Sequence, residues 1–546
     1  MKTKLFVACI IMFFYLNVFS QVTQEWINRY NGPNNGNDRP RSMVMDKSGN
    51  LYVAGHSSGI GSGLDYVTIK YNSIGQQQWV ARYYGFGNGS DDASALAVDN
   101  LGNVYVTGRS TGNNTGGDFA TVKYNSSGVE EWAVRYTSTG NHDDYAVSLK
   151  VDKQGNIYVL GSTYSGAYNY QITTIKYNSS GIQQWIANFF HSDIVINPDY
   201  ASDLQIDNIG NSYVTGFSGR DNDHFVYVTL KYNSSGVRQW FSNYSGNGSN
   251  SFDYPTSIGV DTILGKVFVT GFSKGSSTNY DYATVKYNSS GVQEWATRYN
   301  APANGDDKAT FIKVEDPAYV YVTGYSFSTS SYDDFVTIKY NESGVQQWVS
   351  RYGEPGLYDD EAYSITSDRV GNFYITGSSY GPTSTNYKIV KFNSSGVQQW
   401  AQEYNGEVNG EDYGISAIAD SIGNIFITGS SAGIGTNVDV VTLKYSQNVG
   451  ITQISTSIPD KHLLMQNYPN PFNPITTINF LIPKNTFVKI KVFDIRGKDI
   501  CTLVNENLNA GSYKVDFDGS NYPSGIYYYE IKTDNFRETK KMIFLK

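Results

Sequence analysis

Residues 91–136 read DDASALAVDNLGNVYVTGRSTGNNTGGDFATVKYNSSGVEEWAVRY, and the same phrase recurs along most of the chain. Its eight tryptophans, Trp26, Trp79, Trp132, Trp185, Trp240, Trp295, Trp348 and Trp400, all fall in this phrase at spacings of 53, 53, 53, 55, 55, 53 and 52 residues. Four short strands fit each unit: SALAVD, NVYVTG, FATVKY and EEWAVRY. Each shows period-two alternation or a β-rich apolar run. In the last strand an aromatic stands four residues beyond the tryptophan, as in Trp79/Tyr83 and Trp132/Tyr136, so each pair shares one strand face. The turns are also specified. VDxxGN and YNSSG each supply a side chain that folds back on the backbone and a glycine that permits positive φ. Four strands per repeat of this length is the size of a propeller blade, and no 3.6-residue period supports a helical repeat.

Chain order suggests how a ring closes. The first recognisable strand, QEWINRY at 24–30, is a fourth strand, and the last, VVTLKYS at 440–446, is a third. Pairing them completes an eighth blade and removes an exposed edge. Seven blades would leave one unit unused. The expected fold is all-β: an eight-bladed β-propeller of four-stranded blades over residues 21–446, closed by the N-terminal strand. The phrase resembles the bacterial β-propeller repeat family, whose units read VDxxGNVYVTG followed by an aromatic-rich strand.

Composition agrees. Charged residues make up 17% of 546 residues, against 54 Gly and 46 Tyr, a balance that favours β-structure over helix. The net charge is −9 and Lys and Arg do not cluster, so the basic footprint of a nucleic-acid partner is lacking. Residues 1–20 read as a secretory signal peptide, with Lys2 and Lys4 ahead of an apolar run from Leu5 to Phe19 and a cleavage point before Gln21. Cys9 lies inside that run, away from a lipid-anchor position. Cys501 is then alone in the mature chain, which excludes an internal disulfide. No later stretch is apolar enough to span a membrane.

Past Ser446 the repeat stops. Residues 447–459 read as a polar linker, and 460–546 as a small immunoglobulin-like β-sandwich of alternating strands and Gly/Pro turns. The motifs YPNPF (468–472), DIRG (494–497), Gly511 with Tyr513, PSGIY (523–527) and the basic-apolar ending 540–546 resemble the type A C-terminal sorting domain of the bacterial type IX secretion system. That resemblance implies passage through the periplasm, the secretion machinery as partner, and delivery to the outer-membrane surface or the medium.

Three polar sets recur in every unit: a third-strand lysine (Lys70, Lys123 and their equivalents), an acid ending the first strand (Asp46, Asp99, Asp152, Asp207, Asp261, Glu315, Asp368, Asp420), and an acid eight residues earlier (Asp38, Asp91, Asp144, Asp199, Asp253, Asp307, Asp360, Asp412). Residues present in every blade are read as blade architecture. The sharper alternative is that the last set rings a channel mouth and attracts a cation such as Ca²⁺. Departures from the repeat are better ligand candidates. Two irregular loops at blade 4, residues 188–200 and 218–225, could bring together His191, Asp193, Arg220, Asp221, Asp223 and His224. Catalytic motifs are absent: there is no G-x-S-x-G, HExxH or phosphate loop, and adjacent acids such as Asp91/Asp92 point to opposite strand faces. The adjacent cysteines of eight-bladed quinone dehydrogenases are missing, as is the acid of a sialidase Asp-box. The expectation is a secreted or surface-attached binding scaffold for a glycan, protein or matrix ligand. The alternative is an exported polysaccharide hydrolase or lyase working from propeller loops. A convergent acid pair at a channel mouth would favour the enzyme, and exposed aromatics on the loop face the scaffold.

Overall fold

A computed structural model describes residues 22–545 apart from 87–88, 167–169, 192–197, 222–223, 247–251, 276–278, 316–318, 355, 357, 369–370, 421–422, 448–451, 456 and 520–521. The leader assigned to residues 1–20 lies outside the described residues. Every regular element among the described residues is a β-strand, and none is a helix that could cross a membrane. Two compact units emerge, Gln24–Ser446 and a second beginning at Gln447.

Among the described residues, the first unit holds eight four-stranded sheets. Seven are runs of four consecutive strands. Blade 1, for example, comprises Asp38–Met45, Leu51–Ser58, Leu64–Tyr71 and Gln77–Tyr83. Blades 2 to 7 repeat this over 91–136, 145–189, 199–244, 253–299, 307–352 and 360–404. The eighth joins Asp412–Ala419, Ile425–Ala432 and Val438–Gln447 to the N-terminal strand Val22–Tyr30. The first strand of each sheet packs on the first strand of the next, and that of blade 8 on that of blade 1, so the sheets form a closed ring with the first strands innermost.

The turn chemistry sets each blade's register. Asp46 accepts from the backbone N–H of Ser48 and Asn50 at 2.8 and 2.9 Å, and from the Asn50 amide and Tyr52 hydroxyl at 2.7 and 3.1 Å. Asp99, Asp152 and Asp207 repeat the set. These four acids that end first strands are therefore turn residues.

Adjacent blades are latched by the tryptophans. Trp79 Nε1 and Lys70 Nζ both donate to the Ser126 carbonyl in the next blade's YNSSG turn, each at 3.1 Å. Trp132 and Lys123 meet at Ser179, Trp185 and Lys176 at Ser234, and Trp295 and Lys286 at Glu342. The turn glycine lies under the ring: Gly128 has φ +81°, and a Cβ there would stand 2.5 Å from Trp79. Glycine is needed at that point for its backbone conformation and for the close approach alike.

The N-terminal strand repeats the ring-over-glycine contact but not the Trp Nε1 bond, since Trp26 Nε1 is buried without an acceptor among the described residues. Trp26 covers Gly75 of blade 1, and Asn28 donates to the Gly75 carbonyl at 2.7 Å. Arg29 donates to Ser431 O, Ser431 Oγ and Asp439 at 3.0, 2.8 and 2.9 Å. Within blade 1 the equivalent Arg82 serves Ser57 and Asp65 in the same way, and also donates to Tyr30 of the closing strand at 3.0 Å.

The second unit has two four-stranded sheets. One orders Thr452–Ser455, Gly511–Asp518, Ile475–Ile482 and Leu463–Leu464; the other orders Asp499–Leu508, Thr486–Phe493, Gly525–Lys532 and Arg537–Phe544. Both supply one core, including Ile478, Phe480, Val488, Ile490, Ile531 and Phe544. Thr452–Ser455 falls inside the stretch read as linker. That part of 447–459 is instead an edge strand, with Thr452 opposite Lys514. The YPNPF segment is pinned to the last strand, where Phe472 N–H donates to Ile543 O at 3.0 Å and Leu545 N–H to Phe472 O at 3.1 Å.

Candidate ligand face

The eight acids that open the first strands do not line an open mouth. Each is at most 1% exposed. Asp144 accepts from Ser138 N–H and Tyr164 N–H at 2.8 and 2.9 Å, Asp307 from Ala301 N–H at 2.8 Å and Asp360 from Glu354 N–H at 2.8 Å. They fasten the incoming loop to the blade. Burial pushes the carboxyls of Asp91, Asp199, Asp307 and Asp360 up to about 6, and those of Asp38, Asp144 and Asp412 upward. Carboxyls that are buried and already occupied by loop N–H donors are a poor magnet for Ca²⁺. Among the described residues no group of three or more His, Cys, Asp or Glu side chains is placed to hold a metal.

Blade 4 separates its six candidates. Asp193 and Asp223 lie outside the described residues, as do the side chains of Arg220 and Asp221, whose backbone ends the second strand. His224 opens the third strand opposite Asp221. His191 points into the blade: Nδ1 meets Ser218 Oγ at 3.2 Å and Nε2 meets the Asn243 amide at 2.9 Å, with Phe189 and Phe241 beside the ring. The Arg–Asp latch of blade 1 has Asn243 and Val226 at its two places here, and His191 reaches the serine that an arginine serves elsewhere. Both of its ring nitrogens are thus used inside the protein.

The residue after each buried acid matters more. In blades 3, 4, 5 and 8 it is Tyr145, Tyr200, Tyr254 and Tyr413, at the blade end that carries the loops into first strands. There the aromatics form a chain. Tyr145 lies 6.2 Å from Tyr170, Tyr170 stacks on Tyr200 at 5.2 Å, and Tyr200 meets Phe217 at 5.2 Å. Phe217 meets Tyr254 edge-on at 5.1 Å, Tyr254 meets Phe272 at 5.2 Å, and Phe272 meets Tyr280 at 5.2 Å. Phe225, from the irregular blade 4 loop, joins at 5.6 Å from Tyr254. All these rings keep part of their surface in solvent, and Tyr145 is 40% exposed.

A cation closes each end. Arg109 sits 5.9 Å over Tyr145 and is held by Asp143 at 2.7 Å. Lys308, held by Asp306 at 2.9 Å, lies within 6 Å of the Phe272, Tyr280 and Tyr325 rings. Beyond Lys308, burial and the neighbouring Asp359 and Glu361 push the Asp333 carboxyl up to about 7. At blades 1 and 2 the same position is polar: Asp92 bonds His56 at 2.7 Å and Arg41 at 3.3 Å. Between them the inner strands enclose a cavity of about 730 Å³ lined by Arg41, Ser94, Ser148, Phe311, Tyr363 and Ser416, among others.

Two families match. Residues 78–114 and 347–382 match the beta-propeller repeat, and residues 466–545 match the secretion system C-terminal sorting domain. The chain carries beta-propeller repeats and a type IX sorting domain. The sorting domain implies interaction with that secretion system and export to the cell surface or the medium. Over 379 residues, 56% of this chain, the sequence is 24% identical to an uncharacterized WD repeat-containing protein of Acanthamoeba polyphaga mimivirus, of which the match spans 26%. Among solved structures it is similar to PorZ, a surface component of the type-IX secretion system of Porphyromonas gingivalis, at 13% identity over 95% of this chain and 60% of that one, with a TM-score of 0.39. It is also similar to the WD40 domain of SCAP from fission yeast, at 10% identity over 78% of this chain and 97% of that one, with a TM-score of 0.42.

Proposed function

We propose that the exported propeller is a binding module that takes an extended glycan along the aromatic arc of blades 3 to 6, with His224 and Phe225 of the blade 4 loop on its margin. The observation that carries this is the unbroken run of half-exposed rings from Tyr145 to Tyr280, neighbours 5.1 to 6.2 Å apart. Ring faces carry negative potential and accept the C–H faces of sugar rings. Partly exposed aromatics gathered on one face of a loop-bearing scaffold mark a ligand surface. A net charge of −9 disfavours nucleic acid. A glycan array probed with the whole protein tests the reading. Tyr200→Ala and Tyr254→Ala should each weaken a positive glycan about tenfold, as loss of a central aromatic anchor does. Binding that survives both changes rejects the arc, and binding to matrix proteins alone replaces the ligand class.

One observation favours a second reading, a polysaccharide hydrolase. Asp333, pushed up to about 7 at the end of the arc, has the protonation a general acid needs near neutrality. Release of reducing ends from an array-positive glycan, abolished by Asp333→Asn, would support it. Binding without turnover would leave the scaffold.

A further inference from the structure

The outer face of the second sheet in the sorting domain carries an unusual row. Lys489 lies directly opposite Lys532, and Lys532 directly opposite Arg537, on three neighbouring strands. Like charges at facing positions repel, and here three are set side by side. Among the described residues, only Arg537 of these three has an acidic partner, Glu530 at 2.9 Å. Lys491 pairs with Asp499. The row is concave: Lys489, Lys491, Phe493, Glu530, Lys532 and Arg537 line a depression of about 220 Å³. Beside it the same face shows apolar groups, with Ile526 and Tyr528 41% and 37% exposed. Four cations and one carboxylate around a depression make a seat for a compact anion, and the apolar margin suits an amphiphile that carries one.

We propose that Lys489, Lys532 and Arg537 form a binding site for a phosphate-bearing ligand, with a membrane headgroup as the source the apolar margin favours. The inference is independent of the glycan reading. Charge attraction gathers the anion, the depression limits its size, and the neighbouring Ile526 and Tyr528 rest against the lipid surface.

The test uses the whole protein and two probes: vesicles of phosphatidylcholine with and without phosphatidylglycerol, and inorganic pyrophosphate in solution. The native protein should float with the phosphatidylglycerol vesicles alone and release as salt is raised. Lys489→Gln/Lys532→Gln/Arg537→Gln should bind about a hundredfold more weakly, three cations each being worth roughly a factor of five at an anionic surface. Its melting temperature should stay level or rise, because the repulsion is gone. Lys489→Arg/Lys532→Arg should keep binding. Uptake of pyrophosphate without vesicle binding would support the anion site and assign it a free phosphate compound. No binding of either probe, equal binding by the triple variant, or a lowered melting temperature in it would overturn the proposal.

Discussion

In blade 8, Arg29 of the outer strand donates to Ser431 and Asp439. At the same place in blade 7 stands Glu403, and the third strand answers with Asn386 at 2.6 Å and Lys388 at 2.9 Å. Blade 4 has neither arrangement, and its Asn243 turns to His191. Each blade thus has a half-buried polar niche between its third and outer strands. Asp439 has 1% of its side chain exposed and Lys388 5%, and a charge that deep must have a partner. Blades 7 and 8 show that the sign of the charge is free, provided the two strands agree. The difference also explains how a strand some 400 residues from its neighbours in sequence is recognised as part of blade 8: it brings the arginine that Asp439 lacks.

The severest way to break this comparison is to remove residues 22–30. That leaves Asp439 buried without its cation, about 3–5 kcal/mol, and strips Trp26 from Gly75, about 2 kcal/mol more. Denaturant melts should show the truncated ring losing at least about 5 kcal/mol and aggregating through its open edge. A two-state melt at the native midpoint would show that the ring does not depend on this strand.

Blade 7 permits a sharper experiment. Glu403→Arg should place a second cation beside Lys388 and cost about 3 kcal/mol. Adding Asn386→Asp and Lys388→Val rebuilds the blade 8 arrangement and should recover part of that loss, the remainder falling on Glu354, which also pairs with Lys388. A triple variant no more stable than the single one would mean that the niche is filled differently in the two blades. In blade 4 the expected effect is smaller: His191→Ala should cost about 1–2 kcal/mol by leaving the Asn243 amide without its acceptor, seen as a shift in urea midpoint, while glycan binding stays unchanged.

These contrasts show what a single sequence reveals. The blades were legible because Trp spacing and turn phrases repeat along the chain, and the closing strand because its Trp26 and Tyr30 fit the missing position. Arg29 carried the same signal, an arginine three residues after the tryptophan, and it became meaningful only beside Asp439. The aromatic arc was hidden for a different reason. Tyr145, Tyr200 and Tyr254 follow the recurring acid in plain view, but they stand 55 and 54 residues apart, and only the closing of the ring sets them on one face. His191 was singled out because its loop departs from the repeat, and that departure includes one blade's substitute for an arginine. The strand Thr452–Ser455 was missed because four residues are too few for alternation to stand out from a polar linker. In the same domain, Met542 and Phe544 are fully buried, so the last strand is a core element as well as a terminal motif, and its deletion would unfold the domain along with any signal it carries.

The mildest expected effect distinguishes the loop-fastening acids from the face-side acids Asp92 and Asp143 by pH. Burial raises Asp91, Asp199, Asp307 and Asp360 to about 6, above the value an aspartate has in the unfolded chain, about 4. The folded state therefore binds the proton more tightly than the unfolded state. The stability these groups contribute is fully present below about pH 4 and is lost as pH rises through about 6. Asp92 and Asp143, held low against burial by hydrogen bonds and cations, act in the opposite sense, and their contribution falls away only below about pH 4. Between these limits the fastening acids decide the slope. The melting temperature should rise by a few degrees from about pH 7 to about pH 5, and Asp360→Asn, which is neutral at both, should flatten the rise by its share. A melting temperature that falls steadily across that window would show that these carboxylates stay ionised in the folded ring, held by their loop N–H donors.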